Sequence, residues 1–347
     1  MRLIVVGCGD VGRYLGLACL LNPRLSLAAA VDHRAERARA VAAVAAPAAR
    51  AGIGRRPLVA ESLEEALAGV PADAVYLGVP HDAHEPLFRQ AAEAGLPVLC
   101  EKPLAHSPES GRAMIRRARE AGVKLGVNYQ YRYDPRLHRL ARGAREGALG
   151  QIRLIRALVP WERGESYFTE APWHASRARS GGGTLITQGS HALDAALWIA
   201  GEEVTRVAGV TRQHLPAAGE VEDLAVGVVE LARGGVIEIA STMAIHPEQG
   251  IRVEVYGSRG SAVYRAGKPL ETRGARLPRR RAPAPGPHPL LRSVEGFRRW
   301  LAGEQDYLSP AENALRTLEV VAGLYASAER AAWQSVTDRS LTHGGQE

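Results

Sequence analysis

A short apolar run, Arg2 to Val6, leads directly into Gly7-Cys8-Gly9-Asp10-Val11-Gly12, and a helical pattern follows at once. Glycines at these spacings permit a tight strand-to-helix turn and let a pyrophosphate approach backbone N–H groups at the helix N-terminus. The glycine spacing alone is a weak signal in a glycine-rich chain. Its context makes it specific, because Asp32 lies twenty residues beyond Gly12 at the end of a second apolar run, Leu27 to Asp32. A carboxylate there accepts hydrogen bonds from the adenosine ribose hydroxyls and repels a 2′-phosphate, which favours NAD. Arg34 and Arg37 follow closely and can neutralise a phosphate, so NADP stays open; a helix cap is the structural alternative for Asp32.

The same alternation continues, with strands read over Ala74 to Val79, Val98 to Glu101 and Leu125 to Asn128 and helices between them. This is the signature of βα units and a parallel sheet. Ser62 followed by Glu65 forms a capping box, and Ser107-Pro108 opens a helix that runs to about Ala121. Beyond Asn128, alternating stretches at Ile152 to Val159, Asp223 to Leu231, Val236 to Thr242 and Ile251 to Tyr256 point to a largely antiparallel sheet. Apolar helices are read over Thr184 to Ala200 and Pro310 to Ala332, and Ala275 to Pro289 reads as an exposed, Pro- and Arg-rich excursion. The expected fold is α/β: a doubly wound parallel Rossmann sheet over 1–127, a second α/β domain with a large open, mostly antiparallel sheet over 128–335, and a tail over 336–347.

Composition narrows the function. The 347 residues are 46% hydrophobic and 23% charged, ordinary globular values, and no apolar run is long enough to span a membrane. Met1 to Leu21 is interrupted by Asp10, Arg13 and glycines, so it reads as strand, turn and helix rather than an export signal, and a cytoplasmic setting is expected. Cys8, Cys19 and Cys100 are too few and too irregular for disulfides or a metal site. The net charge of +7 comes with no nucleic-acid-binding motif, and Arg279 to Arg281 read as a solvated loop.

Two further segments belong to the cofactor reading. Val79-Pro80-His81-Asp82-Ala83-His84 lies at the carboxyl end of a strand, where open α/β sheets bind ligands. Val79 and Pro80 suit backbone contacts to the nicotinamide half, while His84 has a cofactor role and a capping or surface role as alternatives. Glu101-Lys102-Pro103 ends a buried strand and places a lysine at the sheet rim. Such a lysine can exchange a proton with a hydroxyl or carbonyl as hydride moves. A surface ion pair with Glu101 is the structural alternative.

Together, the strand-one glycines, Glu101-Lys102-Pro103, and Gly181-Gly182-Gly183 leading to Gly189-x-His191-x-x-Asp194 resemble the glucose-fructose oxidoreductase, inositol dehydrogenase and rhizopine-catabolism (Gfo/Idh/MocA) family. Further matches are Asn128 through Arg132, Glu222-Asp223 before a strand, and Tyr256-Gly257-Ser258-Arg259-Gly260. The resemblance covers almost the whole chain. It implies a tightly bound nicotinamide cofactor, sugar, cyclitol or nucleotide-sugar substrates, and homodimers or homotetramers formed through the second sheet. It also implies that Lys102 and His191 are catalytic. The position one turn before His191 is often aspartate in the family and is Thr187 here; threonine can bond a substrate hydroxyl but cannot stabilise an imidazolium by charge. Asp194 either orients a neighbour or is a structural helix charge.

By the same resemblance the cofactor set is Gly7, Cys8, Gly9, Asp10, Val11, Gly12, Asp32, Arg34, Arg37, Val79, Pro80, His84, Glu101, Lys102 and Asn128. Substrate contacts are expected among Lys102, Tyr129, Arg132, Trp161, Tyr167, Trp173, His174, Thr187 and His191, with Tyr167 and Trp173 favoured because aromatic faces suit sugar rings. The expected activity is hydride transfer between nicotinamide and a secondary alcohol or ketone carbon of a sugar, aminosugar or cyclitol derivative, without a metal. Two rival expectations are a redox-neutral enzyme that oxidises its substrate transiently and a non-catalytic dinucleotide sensor.

Overall fold

The computed structural model describes residues 1–50, 56–279 and 281–336. They gather into two compact units. The first comprises the described parts of Met1–Pro135, Ala178–Gly181 and Arg281–Leu315, and the second those of Arg136–Arg177, Gly182–Arg280 and Arg316–Glu347. This division is discontinuous along the chain, where the sequence reading expects one linear boundary at 127/128. The first sheet needs cover from late in the chain, and Val294 and Phe297 bury with Leu3, Tyr76 and Leu99 in one core. Of the expected tail, all but its first residue lies outside the described residues.

In the first unit, β1 (Arg2–Val6), α1 (Asp10–Leu21), β2 (Ser26–Val31), α2 (Ala35–Arg50), β3 (Leu58–Ala60), α3 (Leu63–Gly69), β4 (Ala74–Leu77), α4 (His84–Glu93), β5 (Val98–Cys100), α5 (Pro108–Glu120) and β6 (Leu125–Val127) alternate along the chain. The six strands lie in the order β3-β2-β1-β4-β5-β6, parallel throughout. Residues 3–6 of β1 and every residue of β4, β5 and β6 are buried, as expected of strands covered on both faces. The order reverses direction at β1 and β4, and the crevice at their carboxyl ends is where such sheets take ligands. The capping readings hold: Ser62 Oγ accepts Glu65 N–H at 3.1 Å, and Ser107 Oγ accepts Ser110 N–H at 3.2 Å.

The later elements are α6 (Pro135–Arg145), β7 (Ile152–Pro160), α7 (Ser166–Thr169), α8 (Arg177–Ser180), α9 (Ser190–Ala200), β8 (Val204–Arg212), β9 (Leu224–Leu231), β10 (Val236–Thr242), β11 (Arg252–Gly257), β12 (Ser261–Arg265), β13 (Glu271–Arg273), α10 (Pro289–Leu301), α11 (Ala311–Arg330) and β14 (Gln334–Ser335). The second sheet runs β13-β12-β11-β7-β10-β9-β8-β14. Its pairs are antiparallel except β7 with β10, which are parallel with Val236 opposite Leu154. All eleven residues of α9 are buried, the polar Ser190, His191 and Asp194 included. A π-helical turn over Leu185–Gly189 leads into it. The Pro- and Arg-rich excursion is not simply exposed. Leu277 and Ala284 are buried, and in the second unit the Arg139 guanidinium holds the loop by donating to the carbonyls of Leu277 (2.7 Å) and Pro278 (3.0 Å).

Candidate active site

The glycine loop owes its shape to close backbone approach. Gly7 has φ +90°, and a Cβ there would lie 2.1 Å from Gly78 O; a Cβ on Gly12 would lie 2.6 Å from Gly7 O. Side chains at these two positions would push apart the loop, α1 and the end of β4. Gly9 differs, since a Cβ there would meet nothing within 4 Å. It is the N-cap of α1, with no side chain capping that end. The loop therefore offers a helix N-terminus with an open approach, the cradle that a pyrophosphate requires.

Asp32 follows β2 and is buried. Its Oδ2 accepts Cys8 N–H at 2.8 Å and its Oδ1 accepts Arg34 N–H at 2.9 Å. The carboxylate thus joins the glycine loop to the end of β2 and also forms the cap-like turn that leads into α2. The two readings of Asp32 are compatible, because each oxygen has a second lone pair for a ribose hydroxyl. Arg34 and Arg37 are exposed beside it, as is Asp10 at the start of α1.

Around the ends of β4, β5 and β6, Glu101 is held from the interior. Tyr76 donates its hydroxyl to Glu101 Oε1, Asn128 Nδ2 donates to the same oxygen at 2.7 Å, and Lys102 N–H donates to Oε2 at 3.2 Å. Asn128 Nδ2 also reaches the Tyr76 hydroxyl at 3.0 Å, and burial pushes that phenol well above its ordinary range. Asn128 Oδ1 is buried without a hydrogen-bond partner among the described residues, an orphaned acceptor that a cofactor amide could satisfy. Lys102 and the Val79-Pro80 turn are half-buried at the same rim. The short stretch Ala178–Gly181 docks on the following turn: Ser180 O lies 2.7 Å from His81 Nδ1, and Arg179 Nε donates to Asp82 Oδ2 at 3.0 Å.

Three expected contacts prove to be interior. His84 is fully buried, with both ring nitrogens against protein atoms. Arg132 is buried and donates to Leu308 O at 2.6 Å, and Tyr129 is buried beside it in sequence. The His84 ring and the Arg132 guanidinium are engaged with backbone carbonyls of the first unit.

In the second unit, Glu222 organises the entry to α9. Its carboxylate accepts Gly183 N–H (2.8 Å), Leu185 N–H (2.9 Å) and the Tyr325 hydroxyl (2.8 Å), and burial raises it above the usual carboxylate range. The glycines are required here: a Cβ on Gly183 would lie 1.7 Å from Glu222 O, and one on Gly182 2.3 Å from the Tyr325 hydroxyl. Thr187 Oγ1 donates to Gly183 O at 2.7 Å, so its hydroxyl proton already serves the helix. The Tyr167 phenol engages Thr187 and accepts Gln188 Nε2–H at 3.1 Å; burial raises it above the ordinary phenol range.

The Tyr167 ring stacks on His174, centroids 3.9 Å apart and 3° from parallel, and Trp173 abuts the same imidazole at 3.9 Å. The Trp161 ring lies 6.1 Å from that of His191. Arg163, 4.9 Å over Trp161 and 5.8 Å over Tyr167, is paired with Glu248. Thr187, His191, Trp161, Tyr167, Trp173 and His174 are therefore brought together. Asp194 is buried and accepts the Thr317 hydroxyl at 3.2 Å, which favours the structural reading. Tyr76 and Gln188 were absent from the sequence reading, since no spacing announces a partner that arrives from another element.

Comparison with known proteins adds two family models: the oxidoreductase family's NAD-binding Rossmann fold over residues 1–129, and the GFO/IDH/MocA C-terminal domain over 137–263. The chain is 28% identical to D-glucoside 3-dehydrogenase of Escherichia coli, covering 95% of each chain. It is 30% identical to inositol 2-dehydrogenase of Corynebacterium glutamicum, over 78% of this chain and 74% of that one. Among solved structures, the WlbA dehydrogenase of Bordetella pertussis, in complex with NADH and UDP-GlcNAcA, superposes with a TM-score of 0.80 at 26% identity, covering 96% of this chain and 98% of that one.

Proposed function

Because the chain belongs to the Gfo/Idh/MocA oxidoreductase family, we propose that it uses NAD to transfer a hydride between nicotinamide and a secondary alcohol or ketone carbon of a sugar, aminosugar or cyclitol derivative. The observation that carries this reading is the open backbone cradle at Gly9 beside a carboxylate pinned to the same loop, with Lys102 at the rim of the same sheet. Bound cofactor would supply a two-electron hydride acceptor or donor at nicotinamide C4. Gly7 to Gly12 would hold its pyrophosphate, Asp32 its ribose, and Val79, Pro80, Glu101 and Asn128 its nicotinamide half.

Lys102 is the main acid/base of the proposal. In the oxidative direction its amine takes the substrate hydroxyl proton as the carbon loses hydride and the carbonyl forms; in reduction the proton returns. His191 positions or shares that proton. The second unit's cluster supports a sugar ring, since Trp161, Tyr167 and Trp173 offer aromatic faces. Thr187 remains able to accept a bond from a substrate hydroxyl. The test is Lys102→Ala: NADH binding should persist while turnover on a sugar, cyclitol and nucleotide-sugar panel falls by roughly 10²–10⁴. Undiminished turnover would remove the lysine from this role.

We include in this proposal a homodimer or homotetramer formed through the second sheet. Val210, Val226, Ala240 and Leu158 stand in register across four strands, and the first two are exposed. Light scattering tests this directly, and a monomer at micromolar concentration would overturn it. A cytoplasmic setting belongs to the same proposal and accords with three free, buried thiols.

A further inference from the structure

His84 opens α4, and its two ring nitrogens face two backbone carbonyls on different loops. Nε2 lies 3.1 Å from Val79 O, just beyond β4, and Nδ1 lies 3.2 Å from Leu104 O, just beyond the Lys102-Pro103 step. A neutral imidazole carries one N–H and cannot donate to both. The conflict is resolved by Cys100, the last residue of β5, whose Sγ is 3.1 Å from Nδ1 and 3.9 Å from Leu104 O. If Nε2–H donates to Val79 O and the thiol donates to Nδ1, both ring nitrogens and the thiol are partnered, and Leu104 O, facing Nδ1, takes no proton from the pair. The opposite tautomer leaves the Nε2 lone pair against Val79 O with no donor.

We infer that Cys100 and His84 form a neutral hydrogen-bonded lock that ties the end of β5, two residues before Lys102, to the Val79-Pro80 turn and so acts as a positioning pair for the reaction. The lysine lies midway between Cys100, which supplies the proton, and Leu104, whose carbonyl meets the clamped ring. The same imidazole holds the Val79-Pro80 turn, so one ring sets both loops at the carboxyl ends of the adjacent strands β4 and β5. Burial favours the neutral form of each partner, keeping the imidazole below and the thiol well above their ordinary values. The other ionisable groups facing the pair are Asp82, which favours imidazolium, the His81 ring with its centroid 5.8 Å away, and Glu101, which favours the thiol.

This inference rests on the proposed role of Lys102, and its test separates the two. In Cys100→Ala, Nδ1 loses its donor and faces Leu104 O alone, so the imidazolium, which can donate to both carbonyls, gains over the neutral ring. Nitrogen-15 NMR of histidine-labelled protein, with His84→Gln assigning one resonance among the eleven histidines, should show a fixed Nε2–H tautomer in the wild type. In Cys100→Ala the same ring should titrate, kcat should fall by roughly ten- to a hundredfold with NADH affinity unchanged, and the pH–rate profile should gain an inflection at the His84 pKa. Cys100→Ser, which keeps a donor, should restore most of both readouts. A ring that stays neutral in Cys100→Ala, or a wild-type rate and pH profile in that variant, would overturn the lock. The spectrum reports on the lock whatever Lys102→Ala does to turnover.

Discussion

Asp32 is the carboxylate on which the cofactor reading depends most, and its removal has a calculable effect. In Asp32→Ala, the Cys8 and Arg34 N–H groups lose acceptors at 2.8 and 2.9 Å. Cys8 is buried, so water cannot replace the carboxylate there, and leaving such a donor unpaired costs about 1–3 kcal/mol. Arg34 N lies nearer solvent and adds about 1 kcal/mol at most. The loss is therefore about 1–4 kcal/mol, which lowers the Tm of the first unit's transition by about 2–16 °C in calorimetry. Asp32→Asn keeps one carbonyl oxygen and should lose about half as much. Both variants remove a unit charge that would sit about 5 Å from a 2′-phosphate dianion; at an effective dielectric of about 40–80 this is about 1.5–3 kcal/mol, or roughly ten- to a hundredfold in the NADPH:NADH affinity ratio. Fluorescence titration with both cofactors measures that ratio. A wild-type Tm in Asp32→Ala, or an unchanged ratio in Asp32→Asn, would refute the reasoning.

Gly183→Ala places a methyl 1.7 Å from Glu222 O, so the entry to α9 must move; a loss above about 4 kcal/mol is expected in denaturant melts, and near-wild-type stability would count against the required approach. Burial raises Glu222 above its ordinary 4.5, so its protonated form favours the fold, and stability from this group is full below that value and lost as pH rises through the folded pKa. Glu222→Gln should flatten that decline above pH 4.5 in melts across pH, and an unaltered slope would show that the group does not set it. Burial pushes Cys8 and Cys19 up to about 12 and holds Cys100 well above its ordinary value, so a disulfide reagent at pH 8 should label no thiol in the native protein and all three after denaturation. Prompt native labelling would contradict this.

What the sequence revealed was whatever position along an element decides. Arg2–Val6 is a strand to the residue, and the next strand-end residues, Asp32, Glu101 and Lys102, stand at the sheet rim as expected. What it concealed depends on partners from elsewhere in the chain. Arg132 and Leu308 O are 176 residues apart, and Tyr76 reaches Glu101 and Asn128 from a different strand. No local pattern distinguishes an arginine that meets a substrate from one that meets a distant carbonyl. β3 was missed because it has three residues, too few to show a period, and β8 because Val-Thr-Arg-Val-Ala-Gly-Val-Thr-Arg mixes residue types on both faces. The second chain unit's π-helical turn, which sets the stagger of Thr187 and His191, also has no local signature.

The pairing of β7 with β10 and β11 has a consequence for synthesis. Until residues 236–257 have left the ribosome, β7 lacks a neighbour on either edge and the wholly buried α9 lacks its sheet. The first unit waits longer, because the Val294 and Phe297 side chains that close its core over Leu3 and Tyr76 come from α10. At translation rates of about 5–20 residues per second, the opening strand is finished on the order of 15–60 s before the helix that seals it. The nascent chain must carry unsealed apolar surface for that interval, which makes its yield in cells a matter of chaperone supply as well as of final stability.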